Sequence, residues 1–116
     1  MTAAERTLPL DLETMRAAVD RLLAEDAEPP LPEELETLTL RLRGHLMVLI
    51  PEVETAAGGC EETALRAAAL ACIGEARRRL DVEPKGTLPA GIAHAQRLAR
   101  SVSSLCIHVE NLGAQA

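Results

Sequence analysis

His94, Arg97, Ser101, Ser104 and His108 recur in steps of three or four residues, the spacing that places side chains on one face of a helix. Arg100 flanks them, and no acidic residue occurs between Pro84 and Val109. A cationic stripe lined with hydroxyls has the chemistry to bind a carboxylate or phosphate, because Arg offers paired donors in a fixed fork and serines orient the anion. The same stripe can dock an acidic partner, including the acidic half of a second copy. The plainer alternative is a solvated face balanced by acids of the first two helices. Earlier in the chain, His45 stands near Arg41 and Arg43 and joins the stripe only if the two segments are neighbours; otherwise it is a packed or hydrogen-bonded core residue.

Other chemistries lack their residues. Bundle metal sites place Glu three residues before His, and none of His45, His94 or His108 has that neighbour. Cys106 and His108, two apart, point to different helix faces, so no metal is expected. The 3 cysteines form no CxxC pair and read as reduced thiols. Cys60 is expected at a helix N-terminus, where the dipole favours a thiolate, but Glu61 and Glu62 oppose that shift. Gly58-Gly59 is followed by Cys60 and acids instead of the Gly-Lys-Ser of a phosphate loop. Phe, Tyr and Trp are all absent, which removes the platform for base stacking and the flat wall for a planar cofactor. No cofactor is expected, and no catalytic residue is identified.

Four segments must position these groups. Leu8, Leu12, Met15, Val19 and Leu22 follow the helical period, and the first helix is expected from about Pro9 to Glu25, with Asp11 and Glu13 at its positive end. Pro29, Pro30 and Pro32 end it, and Pro32 suits the first turn of a second helix. That helix carries Leu35, Leu38, Leu42, Leu46, Leu49 and Val53 on one side and should kink at Pro51, whose missing N–H frees the carbonyl of Met47, before resuming through Glu54. Leu40, Met47 and Ile50 form a second apolar line on it. That line reads either as deeper burial of the helix or as the seam of a homodimer.

A third helix is expected from near Cys60, with Glu61 and Glu62 in its first turn, to Leu80 after Arg77, Arg78 and Arg79. Its many alanines allow a neighbouring helix to approach closely. The fourth helix opens at Pro89 and extends to about Leu112, with Leu98, Val102, Leu105 and Val109 on its apolar face. Short connections make neighbours antiparallel. The expected fold is all-α: one domain over residues 1–116, an antiparallel up-down four-helix bundle.

The 116 residues carry a net charge of -6, which argues against nucleic acid and anionic lipid as partners. The average conceals an asymmetry. Residues 1–62 hold 14 acids against 5 bases, whereas residues 63–116 hold 4 against 7, so the two halves attract. Met1 is followed by neither the basic start nor the apolar run of a secretory signal, and no apolar stretch approaches the roughly 18 residues of a membrane span. A cytoplasmic protein is expected.

The stretches RGHLMVLIPEVE (Arg43 to Glu54), CIGEARRRL (Cys72 to Leu80) and AQRLARSVSSLC (Ala95 to Cys106) resemble an uncharacterised family of small helical bacterial proteins associated with natural-product biosynthesis. The likeness extends from about Leu8 to Leu112 and implies a setting without an active site. Two activities suggested by that setting fail on residues. An acyl carrier needs an attachment serine in an Asp-Ser-Leu context, and Ser103-Ser104-Leu105 lacks the acid and lies in mid-helix. A helical chorismate mutase needs a helical Lys, and the only lysine, Lys85, falls in a loop.

The resulting expectation is a non-enzymatic accessory or protein-interaction bundle that self-associates or binds a protein partner. The alternative is a binder, or an enzyme, of a small anionic metabolite at the fourth-helix stripe.

Overall fold

The computed structural model describes residues 10–114. It contains four helices: α1 (Leu12–Leu23), α2 (Pro32–Gly58), α3 (Thr63–Leu80) and α4 (Leu88–Gly113). Leu8 and Pro9 lie outside the described residues, but Leu10 and Asp11 precede the helix, so α1 begins at Leu12, later than the expected start near Pro9, with Asp11 as its cap.

Three of the four helices begin where a side chain satisfies free N–H groups of the first turn. Asp11 caps α1, its Oδ1 accepting the Thr14 N–H at 3.0 Å and its Oδ2 the Thr14 hydroxyl at 2.6 Å. Thr87 caps α4 by accepting the Ala90 N–H at 3.3 Å. α2 starts on Pro32 without a side-chain cap. α3 begins later than the sequence suggests, at Thr63. Glu62 is its cap rather than a first-turn residue, its carboxylate accepting the N–H groups of Ala64 and Leu65. Cys60 is held back from the helix because its N–H donates to the carbonyl of Ala57, closing the α2 end, while its side chain is buried.

α2 runs without interruption from Pro32 to Gly58, through Pro51, whose ring is on the exposed side. Its 27 residues, at about 1.5 Å of rise each, make it the longest helix, about 40 Å from end to end. α2 and α4 form the central pair; α1 lies on one flank of that pair and α3 on the other, and α1 and α3 do not touch. One hydrophobic cluster joins all four, with Met15 and Val19 from α1, Leu42 and Leu46 from α2, Ile73 from α3, and Leu98 and Leu105 from α4. The central pair approaches closely at Gly91, where a Cβ would stand 3.0 Å from Leu35 Cδ2.

The alanines of α3 divide. Ala69 and Ala76 pack inward with Ile73, whereas Ala64, Ala67, Ala68 and Ala71 face solvent. A flanking helix needs only a narrow buried stripe.

The attraction between the acidic and basic halves is realised in a different pattern from the one the totals suggest. Arg77 of α3 pairs with Glu54 of α2 at 2.8 Å, in the expected sense. Arg16 of α1, however, pairs with Glu110 of α4 through both guanidinium nitrogens at 3.1 and 2.6 Å, base from the first half and acid from the second. Both pairs are exposed and contribute little net stability. Arg43 reaches from α2 to the carbonyl of Leu80 at 3.1 Å and so satisfies the C-terminus of α3. Among the described residues, no helix is long and apolar enough to cross a membrane.

Candidate functional site

The six residues of the α4 stripe do not share one open surface. His94 and Ser101 are buried, 4% and 2% exposed; Ser104 and His108 are half-buried; Arg97 and Arg100 are exposed. The spacing did place a polar line on α4, but that helix contacts three others, and the middle of the line, at Ser101 and Ser104, faces α3. Arg79 of α3 donates from Nη1 to the Ser101 hydroxyl at 2.9 Å and to the Arg97 carbonyl at 3.0 Å, and from Nη2 to Glu75. The hydroxyl offered for an anion therefore already accepts from a cation of the neighbouring helix. Ser104 stands beside Cys72, whose thiol is pushed above the ordinary range by burial and then by Glu75.

His94 is buried on α4 within electrostatic reach of Arg43 on α2 and Glu83 in the α3–α4 connection. Burial holds its pKa below the ordinary 6.5, Arg43 and Arg97 lower it further, and Glu83 opposes them. His45 behaves alike: burial first and Arg41 second push it down, against Asp11. A histidine depressed in the folded state destabilises on acidification, because the unfolded chain takes up the proton first. Stability should therefore fall as pH drops below about 6.5 and level off once the folded-state histidines also protonate. The carboxylates of Asp11, Glu34 and Glu110, all held below their ordinary values by hydrogen bonds, act in the same sense at lower pH. Urea midpoints at pH 7.5 and 5.0 test this: the midpoint is expected to be lower at pH 5.0, with a smaller difference in His94→Gln. Equal midpoints would contradict the burial assigned to these rings.

His45 does not join the stripe, although α2 and α4 are neighbours. It lies on the flank of α2 that faces α1 and lines a groove of about 650 Å³ between these two helices. Its Nε2 is buried and has no hydrogen-bond partner, as is Nδ1 of His108. Thr14, Ala17 and Ala18 of α1 and Thr37, Leu38 and Arg41 of α2 form the rest of the wall. At the opposite end, Arg21 donates from Nε and Nη2 to the two carboxylate oxygens of Glu34 at 2.7 and 2.6 Å. Sequence reasoning noted His45 and Arg41 but not the groove, which exists because α1 turns small side chains toward α2.

The second apolar line of α2 is also redistributed. Leu40 and Met47 are 65% and 70% exposed, whereas Ile50 is 6% exposed and belongs to the core. Val48, on the same outward side as Met47, is exposed in its place, and Gly44 lies between Leu40 and Val48 with open space where a Cβ would be.

Cys60 lies in the wall of a cleft at the end of the bundle, with Glu52, Glu61, Glu62 and Leu112. Its thiol donates to the Glu62 carbonyl at 3.7 Å, and Cys60 precedes α3 rather than sitting in its first turn. Among the described residues, no group of three or more His, Cys, Asp or Glu is placed to hold a metal ion.

Residues 13–114 match the model of DUF6415, a family of unknown function, a range that extends from the first turn of α1 to the end of α4. No curated protein and no solved structure matches the chain. The chain belongs to the DUF6415 family of unknown function.

Proposed function

We propose that the protein is a non-enzymatic accessory module of the cytoplasm that acts through protein interaction, with a second copy docking on the outward face of α2. The observation that carries this reading is the exposure of Leu40, Met47 and Val48 on one side of a helix whose other sides are packed. Water contact with large aliphatic side chains is unfavourable by roughly 25 cal/mol per Å² of apolar surface, and a like face on a second copy removes it for both. Gly44 adds no side chain at the middle of that face, so two α2 helices can approach closely there. A two-fold pairing of this kind is self-limiting, because each copy presents and covers the same patch. The resemblance to small helical proteins associated with natural-product biosynthesis supports a role beside such a pathway.

Light scattering coupled to size exclusion, over a concentration series, tests the reading. The wild type is expected to elute as a dimer and Met47→Glu as a monomer with an unchanged circular-dichroism melt. A wild type that stays monomeric at every concentration, or a Met47→Glu dimer as stable as the wild type, would overturn it.

A further inference from the structure

We propose that the groove between α1 and α2 binds a small amphipathic carboxylate, with its acid on the Arg41 guanidinium and its apolar body against Ala17, Ala18 and Leu38. The inference is independent of the α2 docking face.

The groove is a consequence of side-chain size. α1 and α2 are adjacent, but α1 offers Ala17, Ala18 and Thr14 to this flank and sends Met15, Val19 and Leu22 into the core. The space left, about 650 Å³, falls within the range of small-molecule sites, roughly 300–1,000 Å³. The wall is apolar along its middle and polar at its ends, which suits a ligand with one charged group.

The sign of that charge follows from which groups are already committed. Glu34 is bound by both arms of Arg21. Asp11, near His45, is bound by the N–H and hydroxyl of Thr14. Among the described residues, Arg41 has no ion-pair or hydrogen-bond partner, and it stands exposed beside a His45 that its positive charge helps to keep neutral. The cation available to a ligand is therefore a guanidinium whose fork matches a carboxylate with two parallel hydrogen bonds. A phosphate monoester would bring nearly two charges to this single free cation along an apolar wall, so the carboxylate fits better. His45, in the wall of the same groove, has a buried Nε2 without a hydrogen-bond partner.

Octanoate is a suitable probe, with octan-1-ol as the matched neutral chain, followed by amide NMR on the full chain. Octanoate is expected to produce saturable shifts confined to the Thr14–Arg21 and Glu34–His45 segments and to raise the pKa of the His45 ring, because an added carboxylate favours the imidazolium. Arg41→Gln should weaken octanoate binding about tenfold or more while leaving the melting curve unchanged. Ala18→Leu, which fills the apolar wall, should weaken it without removing the charge. Octanol binding as tight as octanoate, equal binding by Arg41→Gln, shifts centred on another face, or no saturable shift at all would each overturn the proposal.

Discussion

Leu42→Ala and Leu105→Ala are each expected to destabilise the protein by about 2–5 kcal/mol. Both side chains are fully buried, one on each helix of the central pair, where α2 and α4 make the most extensive interface of the molecule. The loss combines the transfer free energy of the removed atoms with the cavity left behind. The cavity term should be large here because α1 and α3 flank the pair from opposite sides and limit its collapse. With total stabilities of about 5–15 kcal/mol usual for a domain, either change removes a large share of the whole. Urea unfolding gives the comparison directly, with Leu70→Ala as the reference. Leu70 is nearly half exposed on α3 and its truncation should cost less than about 1 kcal/mol. A Leu105→Ala protein as stable as Leu70→Ala would contradict the placement of the core between α2 and α4.

Ile50→Asp and Met47→Asp should separate by several kcal/mol although they lie three residues apart on one helix. Ile50 is packed in the core, where a carboxylate would have no counter-charge and would also forfeit the aliphatic contacts, a loss of about 3–5 kcal/mol. Met47 stands in water, so Met47→Asp should leave the unfolding midpoint nearly unchanged and act only on association. Chemical denaturation at low protein concentration, where association does not contribute, distinguishes the two. Equal stability of the two variants would mean that Ile50 belongs to the outward face after all.

Ile50 parts from Leu40 and Met47 for a physical reason. Leu40, Met47 and Ile50 are spaced by seven and three, which is consistent with one helical face. A face is about a hundred degrees wide, however, and Ile50 lies at its edge, where the flanking helix decides whether water reaches it. α3 covers the flank of α2 that carries Arg43, which reaches to the end of α3, and Glu54, which pairs with Arg77. Periodicity within α2 carries no record of that neighbour. The start of α3 was misplaced for a related reason: acids near a helix N-terminus are compatible with both the first turn and the cap, and the choice was made by the Cys60 N–H bonding back to Ala57.

The α4 stripe shows the same division between local and tertiary information. Its line of polar residues was legible, and so was the absence of acids around it. That Arg79 would fill it was not, because the basic end of α3 reads in sequence as a complement to its own helix dipole. His45 and Arg41 were visible as a pair of basic side chains, but the groove beside them depends on the small residues of α1, more than twenty positions earlier.

By itself, the sequence determined the number of helices, their approximate extents and the residues that face inward near their centres. A repeat of three and four in apolar residues, interrupted by proline and glycine, constrains backbone hydrogen bonding and burial together. Tertiary structure alone decided which helices are central and which are flanks, which apolar residues remain in water, and which polar residues are consumed by neighbours. Those outcomes depend on contacts between residues far apart in the chain, and a spacing rule written within one helix names a face without naming what covers it.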